Sequence, residues 1–205
     1  VATNEYRCSY EYLRQNLPTD KQSWFVITEG ETQCLDETSK YGFQLILPPP
    51  ENVEEEPPSN KLMVHFAGGG ACFTYATCFG TFWGNVVHTK VKPQTGGYFN
   101  YNLAENPLVS GAWTTIALSF CTGDMHVGNA EVELDNGFPW PFHYRKTAKF
   151  SGYNNTMSVM NWIKEQKEFE KGKVEVAVAG SSAGSLGVQV WSKYLHDHLG
   201  ASKIQ

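Results

Sequence analysis

Val174-Glu175-Val176-Ala177-Val178-Ala179-Gly180-Ser181-Ser182-Ala183-Gly184-Ser185-Leu186-Gly187 opens as an apolar, β-branched run, stops in small residues and continues with a helical pattern. Such a stretch predicts a buried strand, a tight turn and a helix. Within it, Gly180-Ser181-Ser182-Ala183-Gly184 fits G-x-S-x-G, the turn on which small neighbours let a strained backbone lift one serine hydroxyl clear of a sheet edge. That serine is Ser182. The same five residues also fit a plain Gly-rich strand-to-helix connection, so a chemical reading needs a second feature.

The second feature is Lys61-Leu-Met-Val-His-Phe-Ala-Gly-Gly-Gly-Ala-Cys72, another apolar run, ending in three glycines upstream of the turn. A hydrolase of this kind places its oxyanion loop there. Acyl transfer needs backbone N–H groups aimed at the oxygen that becomes negative, and glycine permits the approach without a Cβ in the way. Ala183 would supply one donor, and Gly69 or Gly70 another. A phosphate cradle is the competing reading of the glycines, but no Lys-Ser/Thr follows them as a P-loop requires. Both features, in this order, point to a serine hydrolase.

With 205 residues, 41% of them hydrophobic, the chain suits one domain spanning 1–205. The net charge of −5 leaves no basic stripe for nucleic acid or an anionic membrane surface. No apolar run reaches the length of a membrane span. The five cysteines, Cys8, Cys34, Cys72, Cys78 and Cys121, show neither C-x-x-C spacing nor a histidine placed to complete a zinc site. Disulfides are therefore expected, with no metal, and the odd count leaves one thiol free or paired outside this sequence. Asn154-Asn155-Thr156 is an N-glycosylation acceptor, in keeping with a secreted chain.

Tyr6, Tyr10 and Leu13 have the spacing of a short helix. Trp24–Thr28 and Tyr41–Leu47 read as outer strands. Residues 48–60, rich in Pro and Glu, read as an exposed loop. Cys72 and Cys78 can close a small loop beside the glycines. From Thr81 to Ser110 the chain is irregular and is expected to wall the pocket. Trp113–Phe120 resumes as a central strand ending in Cys121-Thr-Gly-Asp-Met-His126, at the edge where ligands collect in open α/β sheets. Asp124 and His126 read as a structural turn or a substrate contact, ahead of an unusual acid and base. Glu131–Leu134 and Phe138–Phe142 flank an Asp-Asn-Gly turn and predict a hairpin with an aromatic face, either a substrate wall or a packed surface element. Tyr153 to Phe169 has a helical period, and Ala183–Leu199 is expected to bury Leu186, Val190, Tyr194 and Leu195, stopping at Gly200. His65 reads as a core histidine, His196 and His198 as surface groups, and His88 and His143 show no partner.

Taken together, Gly-Gly-Gly-Ala-Cys-(five residues)-Cys at 68–78, Glu105-Asn106-Pro107 before a Trp-bearing strand, Phe120-Cys121-Thr-Gly-Asp124 and Gly180-Ser-Ser-Ala-Gly184 resemble the pectin acetylesterase and Notum family of secreted α/β-hydrolase esterases. The resemblance spans roughly residues 34–195. It implies an α/β-hydrolase-type, mostly parallel sheet flanked by helices. It also implies Ser182 as nucleophile, Gly69, Gly70 and Ala183 as oxyanion donors, Cys72 paired with Cys78, and Cys34 paired with Cys121. The family removes acetyl groups from pectin or a fatty acyl group from a secreted signalling protein, without a cofactor. Ala71 stands between the glycines and Cys72, and no aromatic residue sits at the third glycine, which tilts the reading from a lipid ester toward a carbohydrate ester.

In this fold the triad acid and histidine follow the serine. The residues after Ser182 suffice for one helix and not for the strands that would carry them. The expectation is an N-terminal part of a hydrolase, its C-terminal strands absent from this chain. An exposed sheet edge would result, covered by a companion polypeptide that supplies Asp and His, with Cys8 the candidate tether. The competing function is a catalytically silent family member serving binding or assembly.

Overall fold

β-Branched and aromatic residues at alternating positions pair into one five-stranded sheet in the computed structural model, which describes residues 9–16, 23–35, 39–48, 60–79, 94, 96–100, 106, 108 and 111–200. Its strands are β1 (Ser23–Ile27), β2 (Gly42–Ile46), β3 (Lys61–Phe66), β4 (Thr114–Leu118) and, after a separate hairpin of β5 (Ala130–Asp135) and β6 (Arg145–Phe150), β7 (Glu175–Gly180). The spatial order is β1-β2-β4-β3-β7. β3 runs parallel to both β4 and β7, whereas β1–β2 and β2–β4 are antiparallel, so the sheet is mixed, with its parallel part around the candidate site. β2 is not an outer strand: it lies between β1 and β4 and is buried along its whole length.

Period 2 divides the sheet's side chains between two faces. Leu62, Val64 and Phe66 of β3, Ile116 and Leu118 of β4, and Val176 and Val178 of β7 form one face. Over it lie α3 (Gly152–Glu165), through Val159, Met160 and Ile163, and α4 (Gly184–Leu199), through Trp191, Leu195 and Leu199. Each such buried Val, Leu or Phe contributes about 1.5–3 kcal/mol relative to exposure. Met63, Ala117 and Ile46 face the other way, toward Phe99, Leu108 and Trp113. The first helix, α1 (Tyr10–Gln15), is capped by the Ser9 hydroxyl and buries Tyr10 and Leu13. Tyr6, Cys8, His88, the residue 49–59 part of the Pro/Glu loop and most of residues 81–110 lie outside the described residues.

Helix α4 buries Leu195 and packs Tyr194 against the core as its sequence suggests, but the rest of its inward stripe differs. The inward line is Gly184, Gly187, Trp191, Leu195 and Leu199, while Leu186 and Val190 are exposed, Val190 at 58%. The cause is close approach: a methyl group on Gly184 would collide with the carbonyl oxygen of Phe66, so the helix start seats directly on the end of β3. Apolar side chains are then carried outward on the opposite side.

The hairpin also departs from expectation. Phe138–Phe142 is not its second strand but part of the connecting loop, because Pro139 and Pro141 offer no ladder donor. Asn136 organises that loop, donating to the Phe142 carbonyl at 2.7 Å and accepting from the Phe138 and Tyr144 amides. Its rings point to solvent, Trp140 at 86% exposure. His143 does have a partner, Asp135 at 2.5 Å. That hydrogen bond, first among several, pulls the Asp135 carboxyl down to about 2.

Candidate active site

Three chain segments converge at the carboxyl ends of the parallel strands: residues 67–72 after β3, residues 119–129 after β4, and residues 181–183 after β7. Ser182 holds a φ of 51°, a left-handed backbone unusual for a residue with a Cβ, and its side chain is exposed. Two turn bonds fix it, Gly184 N–H to the Ser181 carbonyl at 2.9 Å and Ser185 N–H to the Ser182 carbonyl at 3.0 Å. The turn thus begins α4, whose positive dipole end lies at this serine.

The glycine loop lies against it. A methyl group on Gly68 would collide with the Ser181 carbonyl oxygen and come within 2.9 Å of Ser182 Cβ. Only glycine allows that contact. Gly68 N–H donates to the Ser181 hydroxyl at 3.2 Å, so the first serine of the pair holds the loop while the second stands clear. Among the described residues, no hydrogen bond takes the amides of Gly69, Gly70 or Ala183. The geometry therefore leaves backbone donors from two segments unclaimed beside one exposed hydroxyl, the layout that stabilises a developing oxyanion.

Both disulfides brace this end of the sheet. Cys72–Cys78 closes the loop that follows the glycines and leads into the short helix α2 (Tyr75–Phe79). Cys34–Cys121 joins the segment before β2 to the end of β4, with Leu35 N–H bonded to the Cys121 carbonyl at 2.9 Å. Tyr75 meets Tyr144 of the hairpin edge to face at 5.3 Å, tying that element to the segment after the glycine loop.

Asp124 and His126 face inward. Asp124 accepts from the Thr122 hydroxyl at 2.7 Å, the His126 amide at 3.2 Å and the Gly152 amide at 2.7 Å. The last bond places a carboxylate on the N-terminus of α3, where Ser151 makes no side-chain cap. Burial holds the Asp124 carboxyl above its ordinary range against those bonds. His126 is 2% exposed and packs between Phe66 and Phe120, its Nε2 2.9 Å from the Ala67 carbonyl. His65 is likewise buried, edge-on to Phe99 at 4.7 Å. His196 and His198 are exposed on α4, the latter stacked on Tyr194.

Two contributors went unread in the sequence. Ser181 is one, and the doubled serine of the motif was its signal. The other is Trp191, whose indole N–H donates to the His126 carbonyl at 2.9 Å, and nothing local to residue 191 announces it.

Burial makes a testable pH dependence. Desolvation first, then the neighbouring His126 charge, lowers His65 to about 4. Desolvation lowers His126 to about 4 as well, against the Ala67 hydrogen bond. Both pKa values are depressed below the unfolded value of about 6.5, so the unfolded chain binds more protons between pH 6.5 and 4. Stability is then full above pH 6.5 and falls as pH drops through that window, by up to about 3 kcal/mol per histidine. Asp124, raised by burial, works in the opposite sense. Urea midpoints at pH 7 and 4.5 check this: a lower midpoint at 4.5 is expected, and equal midpoints would remove the claim.

The pectinacetylesterase family model matches residues 55–205. The chain belongs to the pectinacetylesterase family. The family is one of ester hydrolases. Two crystal forms of the Wnt deacylase Notum from Drosophila are similar in fold, at 21% identity with a TM-score of 0.59 and at 20% with 0.55. The similarity covers 87% of this chain and 48% or 47% of theirs, so the chain spans about half the length of those structures. None of the curated proteins matches it.

Among the described residues no cluster of three or more His, Cys, Asp or Glu is arranged to hold a metal ion, and no helix is long and apolar enough to cross a membrane. A concavity of about 430 Å³ is lined by Gln33, Glu131, Ser151 and Asn154 among others, and none of Ser182, Gly69 and Gly70 contributes to it.

Proposed function

We propose that this pectinacetylesterase-family chain carries the nucleophile and oxyanion half of a secreted serine carboxylesterase that removes an acetyl group from a polysaccharide. The observation carrying this reading is Ser182 at a φ of 51°, against Gly68 and beside unclaimed amides of Gly69, Gly70 and Ala183. In the first step Ser182 Oγ bonds to the ester carbonyl carbon as a histidine takes its proton. The carbonyl oxygen becomes negative and is met by the backbone donors. Collapse of this intermediate breaks the bond to the sugar oxygen, which leaves with the proton, and water then cleaves the acyl-enzyme to release acetate. This chemistry uses no cofactor.

The histidine and its carboxylate partner are assigned to polypeptide outside these 205 residues, joined or associated. Two facts support that assignment. The buried His65 and His126 are held neutral and turned from the surface, and the matched structures are about twice as long. Two disulfides fit the oxidising compartment of a secreted chain, and Asn154, on the first turn of α3, is the proposed glycan site.

Labelling of the intact native protein with a fluorophosphonate, followed by peptide mapping, tests the reading. The label is expected on the peptide containing Ser182. No label at that peptide would leave the catalytically silent reading standing in its place.

A further inference from the structure

The glycine loop is pinned at both ends and open in its middle. At its start Ala67 N–H donates to the Leu118 carbonyl at 3.1 Å, and at its far end Cys72 N–H donates to the Gly123 carbonyl at 2.8 Å. Between them the Ala67 carbonyl needs a donor, and the one it has among the described residues is the His126 ring at 2.9 Å. A carbonyl only accepts, so Nε2 of His126 carries the hydrogen. The orientation of the Ala67–Gly68 peptide plane is thereby set by a side chain 59 residues away.

The imidazole itself has little freedom. Phe66 stands edge-on to it at 5.2 Å and Phe120 tilts against it at 5.1 Å. Phe120 also underlies the loop, since a methyl group on Gly69 would strike its ring. On the helix side a methyl group on Gly187 would come within 3.2 Å of His126 Cδ2.

The backbone of His126 joins further elements. Its φ of 66° follows a φ of 59° at Met125, two successive left-handed residues that Asp124 stabilises by accepting the His126 amide. The turn directs the His126 carbonyl toward two donors, Trp191 Nε1 of α4 at 2.9 Å and Thr156 Oγ1 of α3 at 3.3 Å. One residue therefore touches the loop that holds Gly69 and Gly70 and the helix that Ala183 caps.

We infer that His126 is a positioning residue for the oxyanion hole: its ring N–H holds the Ala67 carbonyl and its own carbonyl is held by Trp191, so that the amides of Gly69, Gly70 and Ala183 keep a fixed separation. The inference rests on the esterase reading of Ser182. It assigns His126 no contact with substrate and no proton transfer.

Two replacements separate this role from simple packing. His126→Phe keeps an aromatic ring but loses the donor, and His126→Gln keeps an N–H that can reach the Ala67 carbonyl. In the intact protein acting on an aryl acetate, His126→Phe is expected to lower kcat about 100-fold with KM within about twofold, the signature of lost transition-state stabilisation. His126→Gln is expected to recover kcat to within about tenfold of the parent. Hydrogen exchange of the hydrogen-bonded Ala67, Gly68 and Cys72 amides is expected to quicken at least about tenfold in His126→Phe, while Lys61–Phe66 stays protected. Should His126→Phe not fold, Trp191→Phe removes the indole donor and is expected to lower kcat several-fold with KM unchanged.

A kcat per folded molecule within about twofold of the parent, or unaltered exchange at Ala67, Gly68 and Cys72, overturns the inference. Full activity in Ser182→Ala would overturn the esterase reading instead, and the exchange result alone would then decide whether His126 holds the loop.

Discussion

Ser182→Ala is expected to reduce kcat on an aryl acetate by about 10⁴-fold or more, with the fold intact. The substitution removes only Oγ and keeps the Cβ that packs beside Gly68, so the turn and the start of α4 should persist. Its neighbour gives the internal comparison. Ser181→Ala removes the acceptor of the Gly68 amide, a hydrogen bond worth about 1 kcal/mol and thus about tenfold at most. A thousandfold gap between two adjacent serines is hard to produce by damage to the fold, which would touch both. Steady-state kinetics on the intact protein, with near-ultraviolet circular dichroism of each variant, measures it. Equal losses in the two variants would end the claim that Ser182 is the attacking group.

The second large effect belongs to Cys34–Cys121. The bond closes a loop with a sequence separation of 87, against 6 for Cys72–Cys78. By chain entropy the long loop is worth about 4–5 kcal/mol and the short one about 2–3. Cys34→Ala with Cys121→Ala should therefore take away a large share of a typical stability of about 5–15 kcal/mol. It also unties β4 from the segment before β2, just where residues 119–129 support the site. Cys72→Ala with Cys78→Ala should cost less stability, and its effect should fall on the loop that follows glycines 68–70. Urea unfolding of both double variants provides the check, and a larger loss from the short loop would refute the entropic account.

Local chemistry explains what could be read from the chain. The strand Glu175–Gly180, the turn at Ser182 and the glycines at 68–70 are each specified by residues adjacent in sequence, and the structure brings them to one sheet edge. The Cys34–Cys121 pair is different: its sequence separation is 87, and only the family resemblance pointed to it. The buried face of α4 is only partly legible from periodicity: Leu195 turns inward as its spacing suggests, whereas glycines at 184 and 187 let the helix sink toward Phe66 and leave Leu186 and Val190 outside. Asp124 and His126 look like site residues on polarity alone. Their inward direction comes from two left-handed residues, at Met125 and His126, that no residue type demanded.

The outermost position of β7 has a consequence for assembly. Among the described residues β7 has β3 on one flank and no strand on the other, so Glu175–Gly180 offers a row of amides and carbonyls for edge-to-edge addition. A strand added there would lie about 4.8 Å away, and if it ran parallel its last residues would emerge beside Ser182. A strand joining that edge would thus bring its own side chains up to the hydroxyl.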